Sequence, residues 1–577
     1  MRARLEQGAF GALVLLALLF PFEFVKSPWR PTSWLTVTNL EALLWLALGL
    51  WGLAALVRGR VAWPRPLTWG LLLWLGVGLV SAWLAPSNRL DALKFVARTA
   101  QAVLLGLATY DLAHTPARRA KLFAGLAVAG IAVGGLGLGE ALPWPALDEW
   151  LLRFKHAPTR VGELVRVSST LVYATIASMV LELAAPLILA WVAVWRGPFL
   201  GRALWALGAT VVLTAQVLTL TRAGYVALLV ALLWLVGTAW RARLPGLRLA
   251  ALGGVVWMLG IVVVLAWAHP ILGLRLRGES DRVWYQARYS APSTATAQAG
   301  QVVTVTVQVR NEGVRTWTPE GEFGFALSYH LFQGDGTPVT YDGLRSPLPR
   351  PVAPGEEVQV RARIQAPPEA GRYRVEWDMV QEAVTWFSWK GTPPAITWLE
   401  VAPAPAPPPV ALPPTRPPQD VRLTVPAPGR LTLWRAGWRM VQAHPLLGVG
   451  PDNFRLVYGR YAGVEEWDRA IHANSIYVEW LADTGVLGFA AFLLSLAFLA
   501  WHVGRGLQRV DALAWQERSW LLAGSAVLVV WFVHGVLDSF YEFLPTLIPF
   551  WMVVGLSVRL GDETVEDKGI PCGSAST

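Results

Sequence analysis

The feature of this sequence that most constrains its fold is a series of apolar runs, each about 20 residues long, on both sides of a long polar stretch. An α-helix of about 20 residues crosses the hydrocarbon core of a bilayer, which is about 30 Å thick. The pattern predicts an all-α polytopic membrane protein with about 12 transmembrane helices. The predicted spans are 8–25, 38–57, 66–85, 93–113, 122–142, 171–195, 202–220, 222–240, 249–268, 474–500, 519–537 and 542–559.

Basic residues are concentrated in alternate connections between these spans. Cytoplasmic loops are enriched in Lys and Arg, so the bias predicts a multi-pass protein of the cytoplasmic (inner) membrane with both termini inside. We expect the first span to remain as an anchor, because no small-residue cleavage site follows it. The net charge of +10 belongs to these loops, so no nucleic-acid partner is expected. The connections carry Arg58, Arg60 and Arg65; Arg118, Arg119 and Lys121; Arg196 and Arg202; Arg241, Arg243 and Arg248; and Arg505, Arg509 and Arg518.

The segment between the ninth and tenth spans is too long to be a simple connection. Within it, residues 284–402 contain alternating runs such as QVVTVTVQVRN and GRYRVEWDMVQ, separated by turn signals such as NEG and PGE. Such runs predict half-buried strands and an extracytoplasmic all-β sandwich, whose motifs resemble bacterial immunoglobulin-like domains. We expect this insert to recruit an acceptor or a partner, not to take part in the chemistry. The tryptophans predicted to be core residues are Trp317, Trp377, Trp386 and Trp389.

These observations predict a domain order. The predicted parts are transmembrane helices 1–9 in 1–269, the β-sandwich in 284–402, a Pro-rich linker in 403–420, extracytoplasmic loop helices in 421–473, transmembrane helices 10–12 in 474–560, and a cytoplasmic tail in 561–577. The single cysteine, Cys572, lies in this tail and excludes an intrachain disulfide and a thiolate metal site. No motif for a cofactor is present, and we expect none to bind.

The stretch Arg430–Gly488 places polar residues at the start of a membrane helix. It begins with a predicted amphipathic helix whose apolar positions are Leu431, Trp434, Trp438, Met440 and Val441. The helix is predicted to break at His444–Pro445, before the glycine-rich sequence LLGVGP. A polar segment follows and ends at His472, immediately before the tenth span.

Four cationic side chains are predicted near the outer ends of spans. Arg222 lies in the short turn LTLTRAG, Arg430 precedes the glycine-rich loop, and Lys94 and Arg98 share one helix face. One interpretation is that these side chains reach up to lipid headgroups. The other is that they bind an anionic lipid-linked diphosphate, which the guanidinium group suits through bidentate contacts.

His472 has two interpretations, a structural hydrogen bond and a general base. A neutral imidazole takes a proton near neutral pH, and we expect nearby arginines to lower its pKa. Glu479 is expected two helical turns further, about 10 Å deeper on the same face, where it orients a polar network or pairs with an arginine. Asp538 is the other carboxylate at the outer surface. Two carboxylates would also suit a glycosidase, but neither has a partner visible in the sequence.

Several motifs in order resemble the O-antigen ligase and polymerase family. They are HPLLGVGPDNF, HANSIYVEWLADTGVLGF, LTLTRAGYVALLVALL, GRLTLWRAGWRM and HGVLDSFYEFLPTLIPFWMVVGL. The resemblance implies metal-independent transfer of a glycan from a polyprenyl diphosphate to a glycan, lipid or protein acceptor outside the membrane. It implies that Arg222 and Arg430 hold the diphosphate and that His472 is the base, with Asn474, Glu479 and Asp538 in support. Three departures are the spacing His472-Ala473-Asn474, the pair Tyr173-Ala174 in the middle span where many members have Pro-Asn, and the β insert.

Other functions remain open at this level. Within the same family, the chain resembles polymerases of polysaccharide repeat units and protein O-oligosaccharyltransferases as well as ligases. From other classes, a transporter of glycans or lipid carriers would have paired broken helices near the middle of the membrane. A surface-binding protein with a functional β domain would need one span, not about 12.

Overall fold

The computed structural model describes residues 2–25, 29–32, 35–142, 144–268, 271, 273–274, 281–403, 428–464 and 467–566. The predicted linker 403–420, apart from its first residue, and the tail beyond residue 566 lie outside these ranges. The helices are α1 (Arg2–Leu19), α2 (Asn39–Arg58), α3 (Arg65–Trp83), α4 (Arg89–Leu112), α5 (Pro116–Glu140), α6 (Pro145–Leu151), α7 (Ala174–Val194), α8 (Phe199–Leu218), α9 (Arg222–Arg241), α10 (Pro245–Ala268), α11 (Arg430–Ala443), α12 (Phe454–Ala462), α13 (Ile476–Gln508), α14 (Trp515–His534) and α15 (Leu544–Glu566).

Every predicted span overlaps one long helix. Among the described residues, ten helices are long and apolar enough to cross a membrane. The helices α1 and α14 overlap predicted spans but are not among these ten, and both begin with polar turns. The mostly helical character of the chain is therefore confirmed, and the number of about 12 spans stays a prediction.

The chain divides into two compact units. The helical unit comprises residues 1–159, 165–269 and 428–577, and the β unit comprises residues 160–164 and 270–427. The short stretch 160–164 comes from the loop between the fifth and sixth predicted spans. There Glu163 accepts hydrogen bonds from Arg315 at 3.0 Å and from Gln381 at 3.1 Å, both within the β unit.

The centre of the helical unit is formed by α7 and α15. In these two helices 83% and 94% of the apolar window is buried, against 17% in α10, which is therefore peripheral. Glycines allow close contact between α4 and α15, since a β-carbon on Gly555 would lie 2.3 Å from the carbonyl oxygen of Gly106. Small residues at helix contacts are the usual means by which membrane helices approach each other closely.

The β unit contains two sheets. Their strands are β5 (Ala287–Ser290), β6 (Thr294–Gln298), β7 (Val302–Asn311), β8 (Phe325–Gln333), β9 (Pro338–Thr340), β10 (Ser346–Pro347), β11 (Glu357–Gln365), β12 (Gly371–Gln381), β13 (Thr385–Trp386) and β14 (Ala395–Ala402). One sheet has the strand order β10-β8-β12-β14-β6, with β13 paired to β12 and β9 to β8, and the other has the order β11-β7-β5. Two short strand pairs are separate from these sheets, namely β1 (Trp29–Thr32) with β2 (Leu35–Val37), and β3 (Thr159–Val161) with β4 (Leu164–Arg166).

The alternating runs became strands, as predicted. In β11 the side chains alternate between exposed and buried along the whole strand. Sequence analysis missed β8, because this strand is buried on both faces and does not alternate. Trp317, Trp377 and Trp386 are buried, whereas Trp389 is partly buried. A separate β region is thus confirmed, and its description as an immunoglobulin-like sandwich stays a prediction.

Candidate active site

The glycine-rich loop 444–453 lies against a break in α13. At Gly485 the backbone leaves the helical conformation, with φ 63° and ψ −170°. The N–H of Val486, freed by this break, donates to the Pro445 carbonyl at 2.8 Å. A β-carbon on Gly485 would lie 2.4 Å from the carbonyl carbon of Leu446, so the approach requires a glycine. The break and the loop therefore form one structural element.

Asp483 anchors the far end of this loop. Its buried carboxylate accepts hydrogen bonds from the backbone N–H groups of Asp452 at 2.7 Å and Phe454 at 2.8 Å. From α3, the hydroxyl of Ser81 donates to the Leu447 carbonyl at 2.6 Å. These bonds hold the loop against α13 and α3, and they fix where α12 begins.

His472 lies between two carboxylates. Its Nδ1 is 2.5 Å from Oε1 of Glu479, and its Nε2 is 3.3 Å from Oε1 of Glu542. The other oxygen of Glu479 accepts from the Ala473 N–H at 3.0 Å and from the Ser539 hydroxyl at 2.7 Å. Glu479 is fully buried, while 14% of the His472 side chain is exposed. We call His472, Glu479, Ser539 and Glu542 the His472 cluster.

The charges around His472 favour its protonated form. Burial alone would lower the pKa of His472, but the charges of Glu479 and Glu542 outweigh burial and raise it to about 10. Burial raises the pKa of Glu542 to about 7, although the nearby His472 opposes this shift. The cluster therefore holds one imidazolium beside two carboxylates, of which Glu542 titrates near neutral pH.

Two expectations about this pair were wrong. Glu479 was placed about 10 Å deeper than His472 because a continuous helix through both was assumed, but α13 begins only at Ile476. The segment before it folds back, and the two side chains meet. His472 was expected to be kept neutral by arginines, but its nearest charged groups are carboxylates.

A second buried polar group lies next to the first, where α14 ends and α9 begins. His534 Nδ1 is 2.9 Å from Oε2 of Glu182, and its Nε2 is 3.8 Å from Oδ2 of Asp538. Oε1 of Glu182 accepts from the Gln216 amide at 3.1 Å and from the Ser178 hydroxyl at 2.5 Å. We call Ser178, Glu182, Gln216, His534 and Asp538 the His534 cluster.

Ser539 joins the two clusters. Its N–H donates to Asp538 at 3.0 Å, and its hydroxyl donates to Glu479. The predicted supporting residues Glu479 and Asp538 thus lie on the two sides of one serine. Because both clusters involve the ends or beginnings of helices, they define one end of the helical unit, which we call the loop end.

Arg222 is the first residue of α9 and lies at the loop end. A β-carbon on Gly224 would lie 2.1 Å from the Ser178 hydroxyl and 2.3 Å from Oε1 of Glu182. The first turn of α9 is therefore packed directly on the His534 cluster. The preceding tight turn, predicted from LTLTRAG, is confirmed and contains Leu220 with a positive φ of 53°.

Arg166 adds a second guanidinium group to this turn. It donates to the Thr219 carbonyl at 3.0 Å and to the Thr221 hydroxyl at 3.1 Å. No local sequence pattern connects Arg166 with Arg222, because only the fold brings the two segments together.

Arg430 begins α11, which packs on the first turns of α13. Trp434, one helical turn later, donates to the carbonyl of Ala473 at 3.0 Å, next to His472. One turn advances about 5.4 Å along the axis, so Arg430 begins close to the His472 cluster. Its side chain is exposed. Among contacts between described residues, neither Arg222 nor Arg430 has a hydrogen bond or an ion pair.

The buried face of α11 differs from the prediction. Leu431 and Trp438, expected to face inward, are 61% and 58% exposed. The buried positions are Leu433, Ala436, Gly437, Met440 and Val441. Small residues form much of this face, since a β-carbon on Gly437 would lie 3.0 Å from the Val478 side chain.

The remaining predicted site residues are Lys94, Arg98 and Asn474. Arg98 pairs with Glu41 at 2.9 Å, and Lys94 lies 3.3 Å from Asp91 in a partly exposed pair. Asn474 adopts a positive φ of 52°, and its side chain makes no hydrogen bond to another described residue. Asn tolerates this conformation better than most residues, which accounts for its place in the turn before α13.

Several residues around His472 were not predicted. Glu542, which contacts His472, and Ser539, which contacts Glu479, lie in the turn after α14, near Asp538. Asp452 and Arg455 form a bidentate pair at 2.8 Å and 2.7 Å, and this hydrogen bonding raises the pKa of Arg455. The acidic residues of the segments GPDNF and SFYEF are visible in the sequence. Their spacing does not show that the two segments meet in the fold. In the part of the chain described here, no group of three or more His, Cys, Asp or Glu side chains is placed to hold a metal ion.

Comparison with known proteins assigns two segments. Residues 425–493 match the family model described as O-antigen ligase, and residues 290–390 match the one described as the Ig-like domain from next to BRCA1 gene. The first match includes α11, the glycine-rich loop and His472, so this segment is similar to the O-antigen ligase family. The ten apolar helices among the described residues indicate a multi-pass membrane protein.

The other comparisons add no functional information. A comparison with curated proteins finds no match. A solved structure of an alkylpurine DNA glycosylase from Pseudomonas fluorescens, bound to DNA containing an abasic site analogue, is 8% identical. That match covers 59% of this chain and 97% of the glycosylase, with a TM-score of 0.15. A score this low carries no argument about fold or function.

Proposed function

We propose that this protein transfers a glycan from a polyprenyl-diphosphate carrier to an acceptor hydroxyl on the outer face of the cytoplasmic membrane. The observation that carries the proposal is the His472 cluster at the loop end, in a segment that matches O-antigen ligases. Arg222 and Arg430, which pair with no carboxylate in the described part of the chain, begin helices at the same end. Membrane lipids surround the protein, and neither a metal nor a cofactor takes part in the proposed reaction.

The donor diphosphate is bound by Arg222 and Arg430. Their guanidinium groups suit phosphate oxygens, and no carboxylate among the described residues pairs with them. Arg166 adds positive charge at the Arg222 turn. Lys94 remains an auxiliary contact, whereas the pairing of Arg98 with Glu41 favours a structural role. Cations at the leaving group lower the barrier, because polyprenyl diphosphate departs as an anion.

The acceptor hydroxyl attacks the anomeric carbon as the bond to the diphosphate oxygen breaks. The hydroxyl proton passes to the His472–Glu542 pair, which acts as the general base. With two carboxylates and one imidazolium, the His472 cluster carries a formal net charge of −1 and can accept one proton. A pKa of about 7 at Glu542 suits a base that works near neutral pH.

The remaining polar residues position this pair. Glu479 fixes the His472 ring through Nδ1, so that Nε2 faces Glu542. Ser539 and Asp538 connect Glu479 to the His534 cluster, and Asn474 shapes the turn before α13. Supporting groups of this kind keep reacting groups within the narrow geometry that catalysis requires.

The acceptor defines the alternatives within the family. A polymerase would use the growing glycan, and a protein O-oligosaccharyltransferase would use a protein hydroxyl. The β unit would recruit the acceptor in each case. A transporter of lipid-linked glycans is the alternative from another class, and it would not break the bond between the sugar and the diphosphate.

The experiment that tests the proposal supplies the purified full-length protein with a synthetic polyprenyl-diphosphate sugar and with candidate glycan, lipid and protein acceptors. We expect release of polyprenyl diphosphate that depends on one acceptor class and is lost in His472→Ala. If the donor binds but no diphosphate is released with any acceptor, the transfer function is wrong and a transporter is favoured.

Cysteine labelling tests the orientation of the protein in the membrane. A cysteine introduced at position 118 should react only from the cytoplasmic side.

A further inference from the structure

A narrow apolar cavity runs along the inside of the helical unit and begins beside the His472 cluster. It is enclosed by a ring of helices, since α3 and α15 each pack against both α4 and α13. Tyr541 and Trp480 line its end nearest the loop end, and each is the sequence neighbour of a carboxylate in the His472 cluster. One end of the cavity therefore lies next to the candidate active site.

A second, smaller apolar cavity lies further toward the opposite end of the helices and shares Leu67, Leu71, Trp551 and Val554 with the first. On α15 the two cavities are lined from Leu547 to Val558, which at 1.5 Å per residue is roughly 16 Å, about half of a bilayer core. The first cavity has a volume of about 50 Å³, so a ligand must displace side chains of its wall to enter. A thin, flexible chain lying parallel to the helices requires less displacement than a compact molecule.

The lining offers almost no polar group. Only two non-aromatic side chains with hydroxyl groups, Thr99 and Ser495, line the first cavity. Both donate to carbonyls of their own helices, to Phe95 at 3.0 Å and to Ala491 at 2.9 Å. Aromatic rings form the wall near the loop end, with Trp480 between Trp74, Phe492 and Tyr541 at ring distances of 5.0 to 5.8 Å. A hydrocarbon chain has no hydrogen bonds to lose when it moves from lipid to this surface, whereas a polar chain placed there would leave its polar groups without hydrogen bonds.

The end of the cavity nearest the loop end lies close to the acidic groups of the candidate active site. Burial and the charges of Glu479, Asp483 and Glu542 all raise the pKa of the Tyr541 phenol, so this ring lies beside the acidic groups. A molecule in the cavity with a polar head would place that head at the His472 cluster. The ligand is thus an amphiphile with one long apolar chain.

We propose that this cavity binds the isoprenoid chain of the glycan donor and so positions the anomeric carbon at the His472 cluster. The inference rests on the proposed function, because it assigns the chain to the donor and not to a membrane phospholipid. The chain contributes binding energy remote from the reacting atoms, and donors with short chains should bind more weakly.

The test fills the cavity at the point where its two parts meet. Val554→Phe and Leu71→Phe place a ring there, and Val263→Phe is the matched control, since Val263 is 67% exposed on α10. KM is measured for a long-chain donor and for a water-soluble short-chain donor carrying the same glycan. In the unmodified protein and in Val263→Phe we expect the long-chain KM to be lower by about tenfold or more, equivalent to 1.4 kcal/mol or more. In both cavity variants the ratio of the two KM values should approach one.

Binding of the chain is also measured without turnover. A photoreactive polyprenyl phosphate without a glycan should label peptides of α3 and α15 in the unmodified protein and much less in Val554→Phe. Labelling confined to other helices, equal competition by a phospholipid, or an unchanged KM ratio in folded cavity variants would overturn the inference. If neither donor turns over but the labelling occurs as expected, the proposed function fails and the chain-binding site stands.

Discussion

Nδ1 of His472 and Oε1 of Glu479 lie 2.5 Å apart, although the histidine belongs to a loop and the glutamate to the first turn of α13. The contact fixes the ring orientation, because Nδ1 has one partner and Nε2 then faces Glu542. It also places an imidazolium, not a neutral ring, at the loop end.

Protein stability should fall as the pH rises through the alkaline range. The pKa of His472 is raised from 6.5 to about 10, so its stabilising contribution is complete below pH 6.5 and is lost as the pH approaches 10. The charged groups that face the ring are Glu479, Glu542 and Asp452. Thermal unfolding of purified protein between pH 6.5 and 10 measures this loss. The decrease in Tm should be smaller in His472→Gln, and equal slopes in the two proteins would show that the carboxylates do not stabilise the imidazolium.

Removing the anchor of the glycine-rich loop should destabilise the protein. Asp483→Ala leaves the buried N–H groups of Asp452 and Phe454 without an acceptor, at a cost of about 1–3 kcal/mol each. The matched control is Asp511→Ala, whose side chain is 81% exposed and whose surface ion pair is worth little. In thermal unfolding, Asp483→Ala should lower the Tm clearly more than Asp511→Ala does. A similar Tm for both would mean that Asp483 does not anchor the loop.

A methyl group at Gly224 should disturb the His534 cluster. Its β-carbon would overlap the Ser178 hydroxyl, and overpacking of this kind costs about 1–3 kcal/mol. Gly237→Ala lies on the same helix with nothing within 4 Å of the added carbon, and it should leave stability unchanged or slightly raised. Tm and donor turnover are measured for both variants. If Gly224→Ala behaves like Gly237→Ala, α9 is not packed tightly on the cluster.

The fold was largely predictable because its elements have strong local signals. Apolar runs long enough to span a bilayer located every long helix of the membrane part, and strict alternation located β7, β11 and β12. The strand β8 was missed because its second face is covered by neighbouring segments, which no local pattern reports. The helix face of α11 was predicted correctly at Met440 and Val441 and wrongly at Trp438, because the packing surface uses the small residues Ala436 and Gly437.

The candidate site was predictable in position and not in its chemistry. His472 was singled out because it ends a polar segment before a span. Its partner Glu542 lies 70 residues away in sequence, in a turn that meets the loop only after α13, α14 and α15 have packed together. The protonation state depends on this long-range contact. The expectation of a neutral histidine therefore failed, and the catalytic role of His472 stays a prediction.

Arg222 and Arg430 should each contribute to donor affinity. Arg222→Ala or Arg430→Ala should weaken binding of a non-reactive donor analogue by about 10- to 100-fold, since hydrogen bonds to charged groups are worth about 1.5–3 kcal/mol. Replacement by Lys keeps the charge, loses the bidentate geometry and should give a smaller loss. Arg435→Ala is the control, because Arg435 is exposed on the same helix as Arg430. Unchanged analogue binding in both Arg222→Ala and Arg430→Lys would exclude this role.

The most direct test of the proposed chemistry compares turnover and donor affinity in two variants of the proton-accepting pair. In His472→Gln and Glu542→Gln, folded as shown by Tm, we expect release of polyprenyl diphosphate to fall by about 10²–10⁴-fold, the usual contribution of a general base. Binding of the donor analogue should change by less than about threefold, because the diphosphate is held by the arginines. A folded His472→Gln variant with full turnover would contradict the proposed mechanism.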